Sequence, residues 1–502
     1  MRRPLIDLSA QILPVLSQLI ERIFLTGLLV QRLGVGQFER WSLISAIVTL
    51  LTMVDLGTQI TFSNRMARAA HRGDTDEAVT IFRQSNAIFA VLGAIVMGAT
   101  ILFATSSSVQ RWLGLSPALG PGEQIVALCL GGAIALKLAM TNASGVYRAM
   151  MAFGWGTLVT TAGDLLRIAA GVAALLVAGS MASLAVAMAA ATLVVFGALI
   201  PLDIARRFPA FAWRLARPTS LTTSGTLSES VLFAANYLPA VVLTQIPIML
   251  IGSRAAQGVL AGYVLMRTIA NVVRTLSQKV TLIVGMEFGR LETQGRLGEL
   301  ATAYRHLAAL VALCFGCGCA LLWVWGGTLL RLWSGDATLY DPLLLAIMLA
   351  PLIIVPGAQL NLSLLIYGHR PGSFALAVAL QTAAAMLLAL LLPVPSIALR
   401  LSLALSIAEI ALLAPVIALA VRRMIGDVVI SAALWNVAVA SLAAAGTAGI
   451  ALFMQRIADE RTGLILSIGL TGLIAGPLVV IMMRRLVGSI RTGRDQGFPP
   501  TL

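Results

Sequence analysis

The stretch AIFAVLGAIVMGATILFA (87–104) carries no charge and is long enough, as a helix, to cross most of the hydrocarbon core of a bilayer. Stretches of this kind recur from one end of the chain to the other, and they limit what it can fold into. Within a membrane, only helices and closed barrels satisfy every backbone N–H and C=O. Apolar runs of this length select the helix. Fourteen segments are predicted: 8–30, 41–64, 82–104, 124–147, 156–178, 182–203, 228–251, 259–285, 305–327, 342–367, 374–392, 396–420, 432–453 and 463–483. Turn signals separate them, among them Ser116-Pro117, Arg370-Pro371-Gly372 and Pro393-Val394-Pro395. Composition agrees, since 59% of the 502 residues are hydrophobic and 11% are charged, against roughly 25% charged in a soluble chain. The expected fold class is therefore an all-α polytopic membrane protein with about fourteen transmembrane helices.

Arginines predict the orientation. With the N-terminus in the cytoplasm, 21 of the 35 Lys and Arg fall in cytoplasmic segments, seven in outside loops and seven within helices. That asymmetry follows the positive-inside rule and places both termini in the cytoplasm. The net charge of +14 then reflects topology and gives no reason to expect nucleic acid as a partner. Arg2 and Arg3 lead straight into a full-length span, so the first helix reads as a signal-anchor and not as a cleaved leader. No P-loop is present, which argues against ATP-driven transport by this chain alone. Cys314, Cys317 and Cys319 cluster in the ninth segment without a nearby His or acid, so small-residue packing is expected there and no metal site.

The order of features occurs twice. RMARAAHRGDTDEAVTIFRQ (65–84) has the layout of EFGRLETQGRLGELATAYRH (287–306), with Arg68, Gly73, Phe82 and Arg83 meeting Arg290, Gly295, Tyr304 and Arg305. Further on, QRWLG (110–114) matches RLWSG (331–335), and Tyr147 matches Tyr367. The division expected is a six-helix bundle at 1–205, a cytoplasmic linker at 206–227, a second six-helix bundle at 228–421, two additional helices within 432–483 and a cytoplasmic tail at 484–502. Six is an even number, so the two bundles share one orientation, an arrangement in which substrate binds at the interface of the halves.

The 6+6(+2) layout, the stretch LGVGQFERWSL…DLGTQITFSNRMARA (33–69) and YRAMMAFGW (147–155) resemble the polysaccharide flippases of the multidrug/oligosaccharidyl-lipid/polysaccharide superfamily, over roughly residues 8–420. The resemblance implies a bacterial inner-membrane flippase for a lipid-linked oligosaccharide, working in polysaccharide, lipopolysaccharide or O-antigen biosynthesis beside other glycan-assembly membrane proteins. It also leaves open the lipid II flippases and the drug and toxin extruders of the same superfamily. A membrane-embedded glycan polymerase or ligase fits less well. The longest outside loop, 105–123, has one Arg, one Glu and no His, which argues against an enzyme.

Polar stripes within the segments supply the candidate site. At 100° per residue, Tyr263, Arg267, Asn271, Arg274 and Gln278 share an arc of the eighth segment, and Lys279 falls outside it, near enough to the end to snorkel. The fourth segment repeats the pattern with Lys137, Thr141, Ser144 and Arg148. The fifth carries Thr157, Thr160, Asp164 and Arg167, and the first carries Asp7, Gln11, Pro14, Gln18 and Arg22, with Glu21 at its edge. Lipid offers these groups no partner, so they must face one another or water. Some have bland readings: Asp164 and Arg167 can neutralise each other, Arg22 and Arg148 can mark topology, and Tyr263 can be an interface aromatic. Arg267, Arg274 and Lys137 have no acid within a helical turn. Either another helix pairs them, with Glu21, Asp55, Glu229 and Glu409 as candidates, or they bind an anion. The expected substrate-binding residues are Arg22, Lys137, Arg267, Asn271, Arg274 and Gln278, suited to a phosphate or pyrophosphate head group through arginine forks. Glu21, Asp55 and Glu409 are candidates for coupling to a proton or sodium gradient in an antiporter; no cofactor is expected. Pro351 and Pro356 ahead of Asn361 predict a kink in the tenth segment.

Reporter fusions at Ala70, Ala210, Gly295 and Ile490 should read as cytoplasmic, and fusions at Leu115 and Gly335 as external. A C-terminal fusion on the external side would overturn the fourteen-helix topology.

Overall fold

The computed structural model describes residues 13–14, 17–55, 57–216, 239, 241–367 and 371–491, with no side chains described at 60, 276–287, 290, 293, 366–367, 371 or 486–491. Asp7, Gln11 and Glu229 thus lie outside the described residues, as do the side chains of Gln278, Lys279 and Tyr367 and residues 217–227 of the expected linker.

Every described element is a helix. The first span, α1 (17–33), opens with a π turn at Ile20–Leu25 and ends where Gly34 adopts φ 79° and bends the Thr26–Leu50 helix. The second, α2 (35–71), narrows to a 3-10 turn at Leu51–Asp55 and resumes over Thr58–His71. Then follow α3 (Thr75–Thr105), α4 (Pro121–Ala149), α5 (Phe153–Ala178), α6 (Met181–Arg207), α7 (Val241–Arg254), α8 (Val259–Thr293) and α9 (Leu297–Val324). The chain continues with α10 (Pro342–Ile354 and Ala358–Leu365), α11 (Gly372–Leu391), α12 (Ile397–Ile425), α13 (Val428–Ile457) and α14 (Glu460–Arg485). Nine of these helices are long and apolar enough to cross a membrane, or ten if the two pieces of α10 count as one span. Of the other four predicted segments, the first, seventh and eighth run into residues or side chains outside the described set, and the second is broken.

Side-chain caps set several helix starts where the sequence supplies a short polar residue. Asp74 accepts from the Glu77 N–H, Ser180 from Ser183, Asp341 from Leu343 and Leu344, and Ser396 from Leu399. Two spans are interrupted. Pieces Pro121–Ala139 and Ala143–Ala149 divide α4, while the pieces of α10 bend by 59°. The second break lies where Pro351 and Pro356 remove helical N–H donors, as the sequence predicts.

By internal contacts the chain divides into two compact units, Met1–Ala261 and Gly262–Leu502. Within the first, α3 packs on α4, α4 on α6 and α5 on α6. Small residues let α3 and α4 approach closely, since a Cβ at Gly93 would stand 2.8 Å from the Ala135 carbonyl oxygen. The boundary between the units falls inside α8, whose first turn is capped by Glu39: its Oε1 accepts from the N–H groups of Gly258 and Ala261.

The second unit is organised around α9, whose apolar window is 61% buried while that of α14 is 11% buried. Both α13 and α14 pack on α9, so the two additional helices form part of this unit. Gln455 of α13 donates to the Val324 carbonyl, and Glu460 of α14 pairs with Arg331.

The duplication read from the sequence has counterparts in packing. In α4, the buried Asn142 donates to the Phe82 carbonyl, Ser85 and Asn86 of α3. In α10, Asn361 accepts from the Tyr304 hydroxyl of α9 at 2.8 Å, and Tyr304 is the counterpart of Phe82. Helices α6 and α12 match in more detail, at an offset of 216 residues. Ser180 and Ser396 cap their starts, twelve α-helical residues follow, π turns begin at Leu193 and Glu409, and Arg206-Arg207 and Arg422-Arg423 close the helices.

Gly316 of α9 provides a test of the α9–α13 contact, because a Cβ there would lie 2.3 Å from the backbone oxygen of Ala440. Gly316→Val should cost about 3 kcal/mol through overpacking and lower the melting temperature of the purified protein. Gly446→Ala on α13, where a Cβ has open space, should leave it unchanged.

Candidate functional site

Among the described residues, two groups of paired charges join different spans, one in each unit. In the first unit, Asp164 and Arg167 stand three residues apart on α5, but their Arg167 Nε–Asp164 Oδ1 separation is 3.6 Å, too long for a hydrogen bond. Each takes its nearer partner from another helix. Arg167 donates to Glu21 of α1 at 2.7 Å, and Lys137 of α4 donates to Asp164, also at 2.7 Å. Mutual neutralisation of Asp164 and Arg167 is therefore the minor part of a four-residue chain, Glu21–Arg167–Asp164–Lys137, with two charges of each sign. The Lys137 ammonium also sits 4.7 Å from the centre of the Phe196 ring, a cation–π contact. Arg167 is the most enclosed member, with its side chain 15% exposed.

In the second unit, Arg274 of α8 meets Glu409 of α12. Nη1 donates to Oε1 at 2.9 Å and Nη2 to Oε2 at 3.0 Å, a two-pronged pair in which Glu409 is buried and the arginine side chain keeps 26% exposure. Glu409 opens the π turn Glu409–Leu413. One turn before it, Ser406 donates to the Ile347 carbonyl of α10, and Ser402 donates to Ala398 within α12. The polar face read along α12 thus exists and is buried against protein.

The remaining candidates are placed as follows. Arg267 contacts Tyr263, one turn earlier on α8, and Tyr263 is fully buried; it is not an interface aromatic. Asn271 is half-buried between the two arginines. Arg22 is exposed, because the π turn carries Glu21 toward α5. Asp55 acts as a cap, accepting from the Thr58 hydroxyl and the Gln59 N–H. The Lys137–Thr141–Ser144–Arg148 stripe is not continuous, since α4 breaks between Ala139 and Ala143. Beyond the break, Ser144 contacts Gln59 and Arg148 contacts Asn64. The four cysteines carry free thiols, and among the described residues no group of three or more His, Cys, Asp or Glu is arranged to hold a metal ion.

Three features escape a reading of the sequence. Phe196 looks like any apolar residue of α6, and nothing local announces the π turns. The role of Asp203 is also nonlocal: it accepts from Tyr147 at 2.7 Å, Trp155 at 3.0 Å and Arg207 at 2.8 Å, with Arg207 stacked 4.0 Å over the Trp155 ring. Both ends of the YRAMMAFGW stretch therefore converge on one carboxylate. Lys137 and Asp164 were findable as partners, because each stands in a polar stripe and their charges are complementary.

No protein-family model matches the chain, and no curated protein matches it. Solved structures do. An inward-facing multidrug resistance MATE family transporter of the MOP superfamily aligns with a TM-score of 0.65 at 14% identity, over 88% of this chain and 98% of that one. The lipid II flippase MurJ, in an inward closed conformation, aligns with a TM-score of 0.71 at 11% identity, over 96% and 99%. The Vibrio cholerae MATE transporter VcmN in its bent form aligns at 0.51 and 16% identity, over 86% and 96%. The chain is thus a multi-pass membrane protein with the fold of MOP superfamily transporters.

Removing one partner of a buried ion pair strands the other charge, at a cost of ~3–5 kcal/mol. Arg274→Ala should accordingly lower the melting temperature, and adding Glu409→Gln to that variant should restore most of the loss. A double variant no more stable than Arg274→Ala would show that the pair is energetically idle.

Proposed function

We propose that the chain is a flippase that moves a lipid-linked oligosaccharide or polysaccharide precursor from the cytoplasmic to the periplasmic leaflet of a bacterial inner membrane, by alternating access and at the expense of a proton or sodium gradient. Both termini lie in the cytoplasm in this reading. The observation that carries it is Arg274: a guanidinium inside a span, partly exposed, held by one carboxylate and following Arg267 and Asn271 on the same helix. A fork of that kind suits a phosphate or pyrophosphate, which hydrocarbon cannot solvate. Lys137 belongs to the first unit's neutral chain, so its part is to keep α4 and α5 in register beside the path. Arg22 and Gln278 stay candidates for contact with the head group.

The fold supports a carrier over an enzyme, and two further points support a lipid-linked cargo. The lipid II flippase aligns over more of this chain than the multidrug transporter does, 96% against 88%. Organic cations, the alternative cargo of a drug extruder, gain nothing from an arginine ladder. A lipid II-type cargo differs from the proposed one in its sugars and not in its pyrophosphate, so the same arginines would serve it. Other glycan-assembly proteins of the membrane are the expected partners.

Arg274→Ala should abolish glycan export in cells lacking the native copy, while Arg274→Lys retains part of it, because the charge persists and the two-pronged geometry is lost. Membrane levels of each variant are measured in parallel, with Arg274→Ala/Glu409→Gln as the stability control. Normal export by Arg274→Ala would refute the proposal.

A further inference from the structure

Glu409 has an unusual setting for a carboxylate within a span. Both its oxygens are used by Arg274. The hydroxyls of Ser402 and Ser406 on the same face are committed to backbone carbonyls, so neither donates to it. Of the elements packed on its turn, Pro342–Ile354 and Pro371–Leu391 contain no ionisable residue. The preceding part of α12 offers only Arg400 and the following part only Arg422 and Arg423, each more than two turns away. Cys319 of α9 lies within electrostatic reach of Arg274. The one described cation beside Glu409 is Arg274.

A carboxylate and a phosphate present the same pair of oxygens to a guanidinium fork. Resting on the reading of the chain as a carrier of phosphate-bearing lipids, we propose that Glu409 is an internal stand-in for the substrate's phosphate. It occupies Arg274 while the site is empty and yields it when a phosphate- or pyrophosphate-bearing head group arrives.

The exchange balances as follows. Two oxygens of the head group replace Oε1 and Oε2 of Glu409 on Nη1 and Nη2 of Arg274. The displaced carboxylate, now without a cation in apolar surroundings, takes up one proton from water and becomes neutral. Binding of the anion therefore consumes a proton at this site and cargo release returns it, so the gradient that drives export is coupled at a carboxylate other than Glu409. Because the bound state holds one more proton than the empty one, affinity rises as pH falls. In the empty carrier the pair leaves neither Arg274 nor Glu409 without a counter-charge, which favours a change of conformation without cargo.

The test measures binding of a short-chain polyprenyl pyrophosphoryl monosaccharide, a diester whose charge is constant over the range, to the full chain in lipid nanodiscs, at mildly acidic and mildly alkaline pH. Wild type should bind more tightly at acidic pH. Glu409→Gln should bind about tenfold more tightly than wild type at alkaline pH, as expected if the internal pair is closed about nine-tenths of the time, and should lose the pH dependence. Glu409→Asp, with a carboxylate retained, should keep the pH dependence. If Glu409→Gln cannot be recovered folded, Glu409→Ala is read in the same way. A Glu409→Gln affinity equal to or weaker than wild type at alkaline pH, or an unchanged pH dependence, overturns the stand-in role and leaves the flippase reading intact. Absence of any pyrophosphate binding by wild type overturns both.

Discussion

A cation within a bilayer helix costs about 2.5–3.5 kcal/mol even on translocon insertion scales, and the way this chain offsets that cost determines how its helices are held. Lys137, Arg167 and Arg274 each meet a carboxylate from a different helix, and Arg267 meets a tyrosine. The partners are distant in sequence: 146 residues separate Glu21 from Arg167, and 135 separate Arg274 from Glu409. Such pairs are weak sources of net stability, since desolvation takes back much of the Coulombic gain. What they do supply is register. A helix of α1 or α12 that slid by one turn would strand two charges in hydrocarbon, whereas sliding apolar ridges past one another costs far less.

The two halves share a scaffold but not its charges. Caps, helix lengths, π turns and closing arginine pairs recur between α6 and α12, and buried asparagines anchor α4 and α10 in related ways. Yet the residue opening the π turn is Leu193 in one copy and Glu409 in the other. The first unit joins Lys137 and Arg167 to two carboxylates in a chain of four, and the second sets one partly exposed fork, Arg274, against one buried acid. Duplication thus accounts for the packing, and departures from it mark where chemistry differs.

Much of this was legible before any coordinates. Apolar runs locate the spans because the bilayer imposes both their length and their polarity, and Pro351 and Pro356 locate the α10 break because each removes a backbone donor. The candidate site was legible only as a set of residues. Stripes of Arg, Lys, Asp and Glu announce that partners exist, but which carboxylate meets which cation depends on helix rotation, and the stripes assume a constant 100° per residue. Among the described residues three π turns break that assumption, and the interruption of α4 breaks it again. For this reason Arg22 is exposed while Glu21 points to Arg167, the reverse of the phase read from the sequence. Lys137 and Arg148, placed on one stripe, belong to separate helical pieces.

The π turns also bear on how such a site can move. Each one contains a residue that meets a cation of the charged groups: Glu21 in Ile20–Leu25 and Glu409 in Glu409–Leu413 as ion-pair partners, and Phe196 in Leu193–Leu199 as the ring beside Lys137. A π turn holds one residue more than the α-helical turn it replaces, and such turns are frequent at functional sites. In α12 the residues before the insertion keep Ser402, Ser406 and Glu409 on one face, while those after it are turned by a further residue. Had α12 stayed regular throughout, the buried face before Glu409 and the buried Ile417 and Val421 after it would follow different phases. The wider turn reconciles them. It also makes Glu409 the point where the backbone of α12 is least committed to a single pattern, so a change of partner at its carboxylate can be absorbed locally, in one turn, before it is passed along the helix.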